Sequence, residues 1–169
     1  MEPPAATPTK MLSILALGCA LLTGCASDPS RVEPGTGRDQ VLQQLGTPTA
    51  IYRTPTGERL QYSRGPSGFQ VSNVDVDTAG RVYSVRQELD EGLFAGTIKP
   101  GEWRVEDVLF TYGRPYQQTR VTSFNGTVWS WRYLQINNRR FLYIYVDPTG
   151  RVDHFNVGDD LEFDRRRWW

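Results

Sequence analysis

The chain repeats itself. Val41-Leu42 matches Val108-Leu109, and Gly46-Thr47-Pro48 matches Gly113-Arg114-Pro115, an offset of 67 residues. Farther on, Leu60 and Tyr62 match Trp129 and Trp131 at an offset of 69, and Asp77-Thr78-Ala79-Gly80-Arg81-Val82 matches Asp147-Pro148-Thr149-Gly150-Arg151-Val152 at an offset of 70. The order is kept and the drift is small, as short loop insertions produce. Two copies of one module follow.

Each copy has the same physical grammar. A short helix carries apolar residues at i and i+4 (Val41 and Leu45; Val108 and Tyr112) and begins after turn formers. It stops at a glycine suited to a positive-φ cap, with proline two residues on, which cannot continue a helix. Period-two runs follow and predict strands at Ala50 to Arg53, Arg59 to Arg64, Phe69 to Asp77 and Arg81 to Arg86. In the second copy the strands are expected at Tyr116 to Ser123, Thr127 to Leu134, Arg139 to Asp147 and Val152 to Val157. Asp-x-x-Gly closes a tight hairpin between the last two strands of each copy. The second copy also has a helical stretch at Leu89 to Ala95, joined to its main helix through Lys99-Pro100-Gly101. The expected class is α+β, two tandem modules, each a helix with a four-stranded antiparallel sheet, at 37–87 and 88–158.

This pattern of a short Val-Leu helix, Gly-x-Pro, a Trp-x-Trp or Leu-x-Tyr strand and an Asp-x-x-Gly hairpin resembles the SmpA/OmlA module of the BamE outer-membrane lipoproteins. The tandem arrangement is similar to that of the β-lactamase inhibitor proteins, which implies one continuous concave sheet backed by helices. The first resemblance implies a scaffold or protein-binding factor in outer-membrane β-barrel or envelope assembly, with barrel-assembly components as partners. The second implies an inhibitor-like module that clamps a periplasmic enzyme. BamE itself is a single module, and the first copy here lacks a clear leading helix.

The start of the chain bears on location. Leu22-Thr23-Gly24-Cys25 ends the apolar run Met11 to Leu22 and resembles a bacterial lipobox. The run is about a dozen residues, too short to span a bilayer, which needs roughly 20, and suited to a signal-peptide core. Residues 1–24 are then a signal peptide, Cys25 carries a diacylglyceryl thioether, and 25–36 tether the body to the membrane. Cys19 is the competing cysteine, but Ala16-Leu17-Gly18 puts a large residue where a small one is wanted. Two or more acyl chains give stable anchoring at about 0.8 kcal/mol per buried methylene. Ala26 after the cysteine resembles the outer-membrane sorting pattern.

Alternation along the strands separates two sheet faces. Leu142, Ile144 and Val146 belong with Trp129, Trp131 and Tyr133 in the core. Ser130, Arg132, Phe141, Tyr143 and Tyr145 then share the other face. Rigid aromatics beside an arginine have the composition of a partner-binding hot spot, unless they merely cover the sheet or pack under the tail. In the tail 159–169, Arg165, Arg166, Arg167, Trp168 and Trp169 suit a lipid interface, unless the segment is a frayed end or folds onto its own acidic half.

Chemistry for catalysis is sparse. His154 is the single histidine, and it lies on the last strand, so neither a triad nor a histidine metal set can be assembled around it. Asp75 and Asp77 share a strand face, but Asp77 is already required by its turn. Asp90-Glu91 reads as the acidic first turn of a helix. The 19 basic and 19 acidic residues balance, giving no global field for nucleic acid. The expectation is no enzyme, no metal and no cofactor beyond the lipid on Cys25.

Overall fold

The structure is a computed structural model and describes residues 28–65 and 68–160. The lipobox cysteine Cys25 and the tail residues Arg165 to Trp169 lie outside the described residues. Within them the order is α1 (Arg38–Leu45), β1 (Ala50–Thr54), β2 (Gly57–Ser63), β3 (Val71–Asp77), β4 (Val82–Gln87), α2 (Glu91–Thr97), α3 (Val105–Tyr112), β5 (Gln117–Thr119), β6 (Thr127–Gln135), β7 (Asn138–Val146) and β8 (Val152–Asp159). The fold is α+β, with two four-stranded antiparallel meanders, β1-β2-β3-β4 and β5-β6-β7-β8. The single continuous sheet expected from the tandem arrangement is replaced by two separately hydrogen-bonded sheets, because a helix of the second copy comes between them.

The repeated motifs do the same work in both copies. Asp77 Oδ1 accepts from Ala79 N and Arg81 N at 2.9 and 2.8 Å, and Asp147 Oδ1 accepts from Thr149 N and Arg151 N at 2.8 and 3.0 Å. Gly80 and Gly150 close these hairpins at φ +75° and +81°. Those bonds also hold the Asp147 carboxyl below its usual range, with the Thr149 hydroxyl as the largest cause.

Two expectations need correction. Tyr116 to Ser123 was expected as one strand, but β5 is only Gln117–Thr119, and Phe124 N turns back onto Val121 O at 3.2 Å. The tether assigned to 25–36 is, from Asp28 onward, part of the first module. A 3-10 turn at Pro29–Arg31 is capped by Asp28, and Val32 is 5% exposed in the core around Val41, Leu60, Val74, Val76 and Val82. The reason is a further repeat: Val32-Glu33-Pro34-Gly35 matches Ile98-Lys99-Pro100-Gly101. Gly35 N donates to Val82 O and Gly101 N to Val152 O, each at 2.7 Å.

The second copy holds the larger core. Phe94 from α2 and Ile98 just past its end, with Val108 and Tyr112 from α3, bury Trp131, Tyr133, Leu142 and Ile144 on one face of β6 and β7. Phe94 stands edge-on to Tyr112 and Tyr133, at 6.0 and 5.2 Å between centroids. Asp90 starts α2 by accepting from Gly92 N at 2.9 Å.

Candidate binding face

The two copies use the sheet face turned away from their own helices in different ways. In the first copy this face is already filled. A helix leaves its last four carbonyls without partners inside the helix, and α3 runs its C-terminal end onto β1, β2 and β3. Tyr52 Oη donates to Leu109 O at 3.1 Å, Gln61 Nε2 reaches Leu109 O and Phe110 O at 3.3 and 3.1 Å, and Asn73 Nδ2 donates to Thr111 O at 3.0 Å. The Arg59 guanidinium lies 4.1 Å from the Phe110 ring centroid, and Tyr52 meets the same ring edge-on at 5.2 Å. Arg59 is held in place by Asp75, Nε to Oδ1 at 2.6 Å and Nη2 to Oδ2 at 2.9 Å. Asp75 thus belongs to this ion pair, and Asp77 to its hairpin. Burial, the largest cause, raises the Tyr52 phenol above its ordinary pKa.

Gly113, the cap residue of α3, shows how close the approach is. Its φ is +65°, and a Cβ there would lie 2.7 Å from Gln61 Oε1. The positive φ favours glycine, and any side chain there would also have to push the Gln61 amide out of its bonds to α3.

In the second copy the corresponding face carries aromatics. The register pairs Ser130 with Tyr143 and Arg132 with Phe141, so the five residues singled out from alternation, Tyr145 included, do share one face. They are not a freely open surface, however. Phe141 is 8% and Ser130 7% exposed, while Tyr143 and Tyr145 are half-buried. Two groups explain this. Tyr116 packs 5.8 Å from Phe141, and the Arg132 guanidinium sits 4.0 Å from the Tyr116 centroid and 5.4 Å from that of Phe141. The Ser130 hydroxyl donates to Gln117 O at 3.3 Å. Arg132 Nε is also 3.1 Å from Asp160 Oδ2, and the Asp160 side chain is 1% exposed.

Four contributors were not singled out for this face from sequence: Tyr116, Phe124, His154 and Asp160. His154 stacks on Tyr145 at 3.9 Å and 17°, and Phe124 stands edge-on to Tyr145 and His154 at 5.2 and 5.8 Å. Asn156 Nδ2 donates to Tyr145 Oη at 3.3 Å. Alternation along β8 puts His154 and Asn156 beside Tyr145 and Tyr143, a signal that was available. Phe124 reaches the face from a turn, where no periodicity reports direction. The result is an aromatic strip from Phe124 and His154 through Tyr145 and Tyr143 to Phe141 and Tyr116, with Arg132 at one end.

The arrangement offers ring faces and edges for packing. Among the described residues no group of three or more His, Cys, Asp or Glu could hold a metal ion, and no helix is long and apolar enough to cross a membrane.

No family model matches the chain, and no curated protein matches it. A solved structure that is similar is a DUF4309 family protein (YjgB) from Bacillus subtilis, at 10% identity and a TM-score of 0.31, over 74% of this chain and 79% of that one. A likeness of that degree carries no functional argument.

Proposed function

We propose that the protein is a non-catalytic outer-membrane lipoprotein, acylated on Cys25, that binds an envelope protein through the aromatic face of its second copy. The resemblance to the SmpA/OmlA module directs this toward β-barrel or envelope assembly. The observation that carries the reading is the divergence of two duplicated faces. The first copy's face is polar, built from Arg59, Gln61, Asn73 and Asp75, and engages α3. At the matching positions the second copy carries Val128, Ser130, Tyr143 and Tyr145, and with Phe141, which stands where the first copy has Val71, the face is built from the kind of side chain that supplies binding energy at the centre of protein interfaces.

A non-catalytic role is supported by how the face's polar groups are engaged. Arg132 is paired with Asp160, and His154 is stacked on Tyr145 with Nδ1 2.6 Å from Asp153 Oδ2. The inhibitor-like alternative needs a concave sheet spanning both copies, and α3 occupies the first copy's share of that surface. Assembly is therefore the preferred reading.

The test is a crosslinking pull-down of the acylated protein from native envelopes, with Tyr143→Ala alongside. Capture of barrel-assembly components by the wild type, and its loss in the variant, is the expected result. Capture of an unrelated periplasmic enzyme, or equal capture by both proteins, would refute it.

A further inference from the structure

We propose that the hairpin between β6 and β7 docks its tip, Leu134 and Ile136, into the lipid surface to which the chain is anchored, giving the body a second, fixed point of contact with the membrane. This rests on the acylation of Cys25 proposed above and is independent of any protein partner.

The tip is built against its own stability. Gln135 pairs with Asn138, so Ile136 and Asn137 are the central residues of a two-residue hairpin turn, at φ +47° and +67°. They are the only non-glycine residues at positive φ among the described residues. Turns of this kind take Asn, Asp or Gly, and a β-branched side chain in the left-handed region is strained. The isoleucine gains no burial in exchange: it is 88% exposed, and Leu134 is 47% exposed. Strain held under a solvent-facing apolar side chain has its reason in what that side chain meets. The strands also carry the turn beyond their neighbours, since β5 pairs with β6 only from Val128 to Ser130 and β8 pairs with β7 only from Arg140 onward.

The residues at the same end of the molecule identify the occupant. Leu134 pairs with Arg139, whose guanidinium lies 5.2 Å from the Phe69 ring centroid in the first copy. The Phe69 carbonyl accepts from Gln87 Nε2 at 3.4 Å, and Gln87 lines one hollow with Asp28, Ser30 and Gln70. The hairpin thus stands at the end of the body where the chain arrives from Cys25.

Chain length then sets the distance to the lipid. Three peptide units join Cys25 to Asp28, at most about 11 Å between Cα atoms. A thioether-linked diacylglycerol holds the cysteine near the edge of the hydrocarbon, and the headgroup layer above it is about 5–7 Å deep. Asp28 is therefore held within about 5 Å of the membrane surface, and the end that carries it faces lipid. Docking from an anchored chain is an intramolecular event, so two apolar side chains suffice where a free protein needs a larger patch. Arg139, exposed across from Leu134, adds a guanidinium suited to lipid phosphate.

The test places a nitroxide spin label at position 136, through Ile136→Cys, in the acylated mature chain reconstituted in phosphatidylcholine vesicles. Thr78→Cys, in the turn that closes the other end of β3, is the control. At 136, relaxation by oxygen, which concentrates in the bilayer, should exceed relaxation by a water-soluble nickel chelate; at 78 the order should reverse. An acylated, vesicle-bound chain whose 136 label is as open to the chelate as the 78 label would overturn the docking and leave the anchor standing. Shielding of 136 from both relaxants would show protein over the tip and would overturn it too. A mature chain without acyl groups by mass spectrometry would refute the anchor and the docking together. The strain has its own readout: Ile136→Asn should raise Tm by about 2–4 °C and, with the label moved to 134, shift that label toward the chelate. An unchanged or lower Tm would overturn the claim that stability is given up at the tip.

Discussion

The Arg59–Asp75 pair is where the first copy grips the second, and breaking it should cost more than an ordinary salt bridge. Both side chains are 11% exposed and joined by two parallel hydrogen bonds, and Arg59 also stacks on Phe110 of α3. Asp75→Ala leaves a guanidinium largely out of water with no counter-charge. Losing one partner of a buried pair typically costs about 3–5 kcal/mol. The remaining exposure and the neighbouring Phe110 carbonyl put the expected loss near the lower end, about 3 kcal/mol. Arg59→Ala removes the ring contact as well and should cost a similar amount by a different route. Replacing both residues, as Arg59→Ala with Asp75→Ala, removes both desolvation penalties together, so the double variant should be destabilised by well under the sum of the two single losses. Urea denaturation of the mature chain measures all four corners of the cycle, and for a body of this size about 3 kcal/mol lowers Tm by roughly 10–15 °C. Because the pair sits between the copies, the wild type should unfold in a single transition. Additive single and double effects, or a loss below about 1 kcal/mol, would show that the pair is solvent-screened and that α3 is not clamped as described.

Other predictions bear on the second copy. Trp131 is 2% exposed, so Trp131→Ala should cost about 3–5 kcal/mol. Its indole N–H has no hydrogen-bond partner among the described residues, so Trp131→Phe should cost far less, and thermal melts separate the two. Arg132→Ala strands the buried Asp160 carboxylate and should destabilise by about 3 kcal/mol, with Asp160→Asn restoring part of the loss in the same melts. At Gly126 a Cβ would fall 2.5 Å from the Phe124 ring and 2.3 Å from Val146 O, so Gly126→Ala should shift the Phe124, Tyr145 and His154 ring resonances in NMR spectra. Burial, the leading cause in each case, raises Tyr112 and Tyr133 above the ordinary tyrosine value and pushes Tyr62 up to about 12. The unfolded chain then loses these protons first. Stability should be flat up to about pH 10 and fall as pH rises beyond it, and Tyr112→Phe should shallow that fall in alkaline denaturation.

The elements were legible because both copies signal them with the same residues. The Gly46 and Gly113 caps, the Asp77 and Asp147 turns, and the inward set Leu142, Ile144 and Val146 follow from period and turn chemistry alone. What did not follow is what α3 does with its far end. Arg59, Gln61 and Asn73 look like ordinary polar strand residues until their partners 48, 49 and 51 residues away, or 38 in the case of Asn73, are known. The same long-range contact divides what was expected to be one sheet. Residues 25–36 read as a tether because Ser27 to Gly35 is polar and rich in turn formers, which hides the packing of Val32. On the candidate face, alternation grouped five residues correctly but was silent on depth: Phe141 and Ser130 are buried by Tyr116, Arg132 and Gln117, which arrive from a loop, a neighbouring register position and an edge strand.

The most direct measurement compares one position on each of the two duplicated faces in the same envelopes. A photocrosslinking residue at 145 reports on the aromatic face of the second copy, and one at 52 on the filled face of the first. The account predicts a protein partner crosslinked from 145 and, from 52, only intramolecular crosslinks to α3. Partner crosslinks from 52, or none from 145, would contradict it.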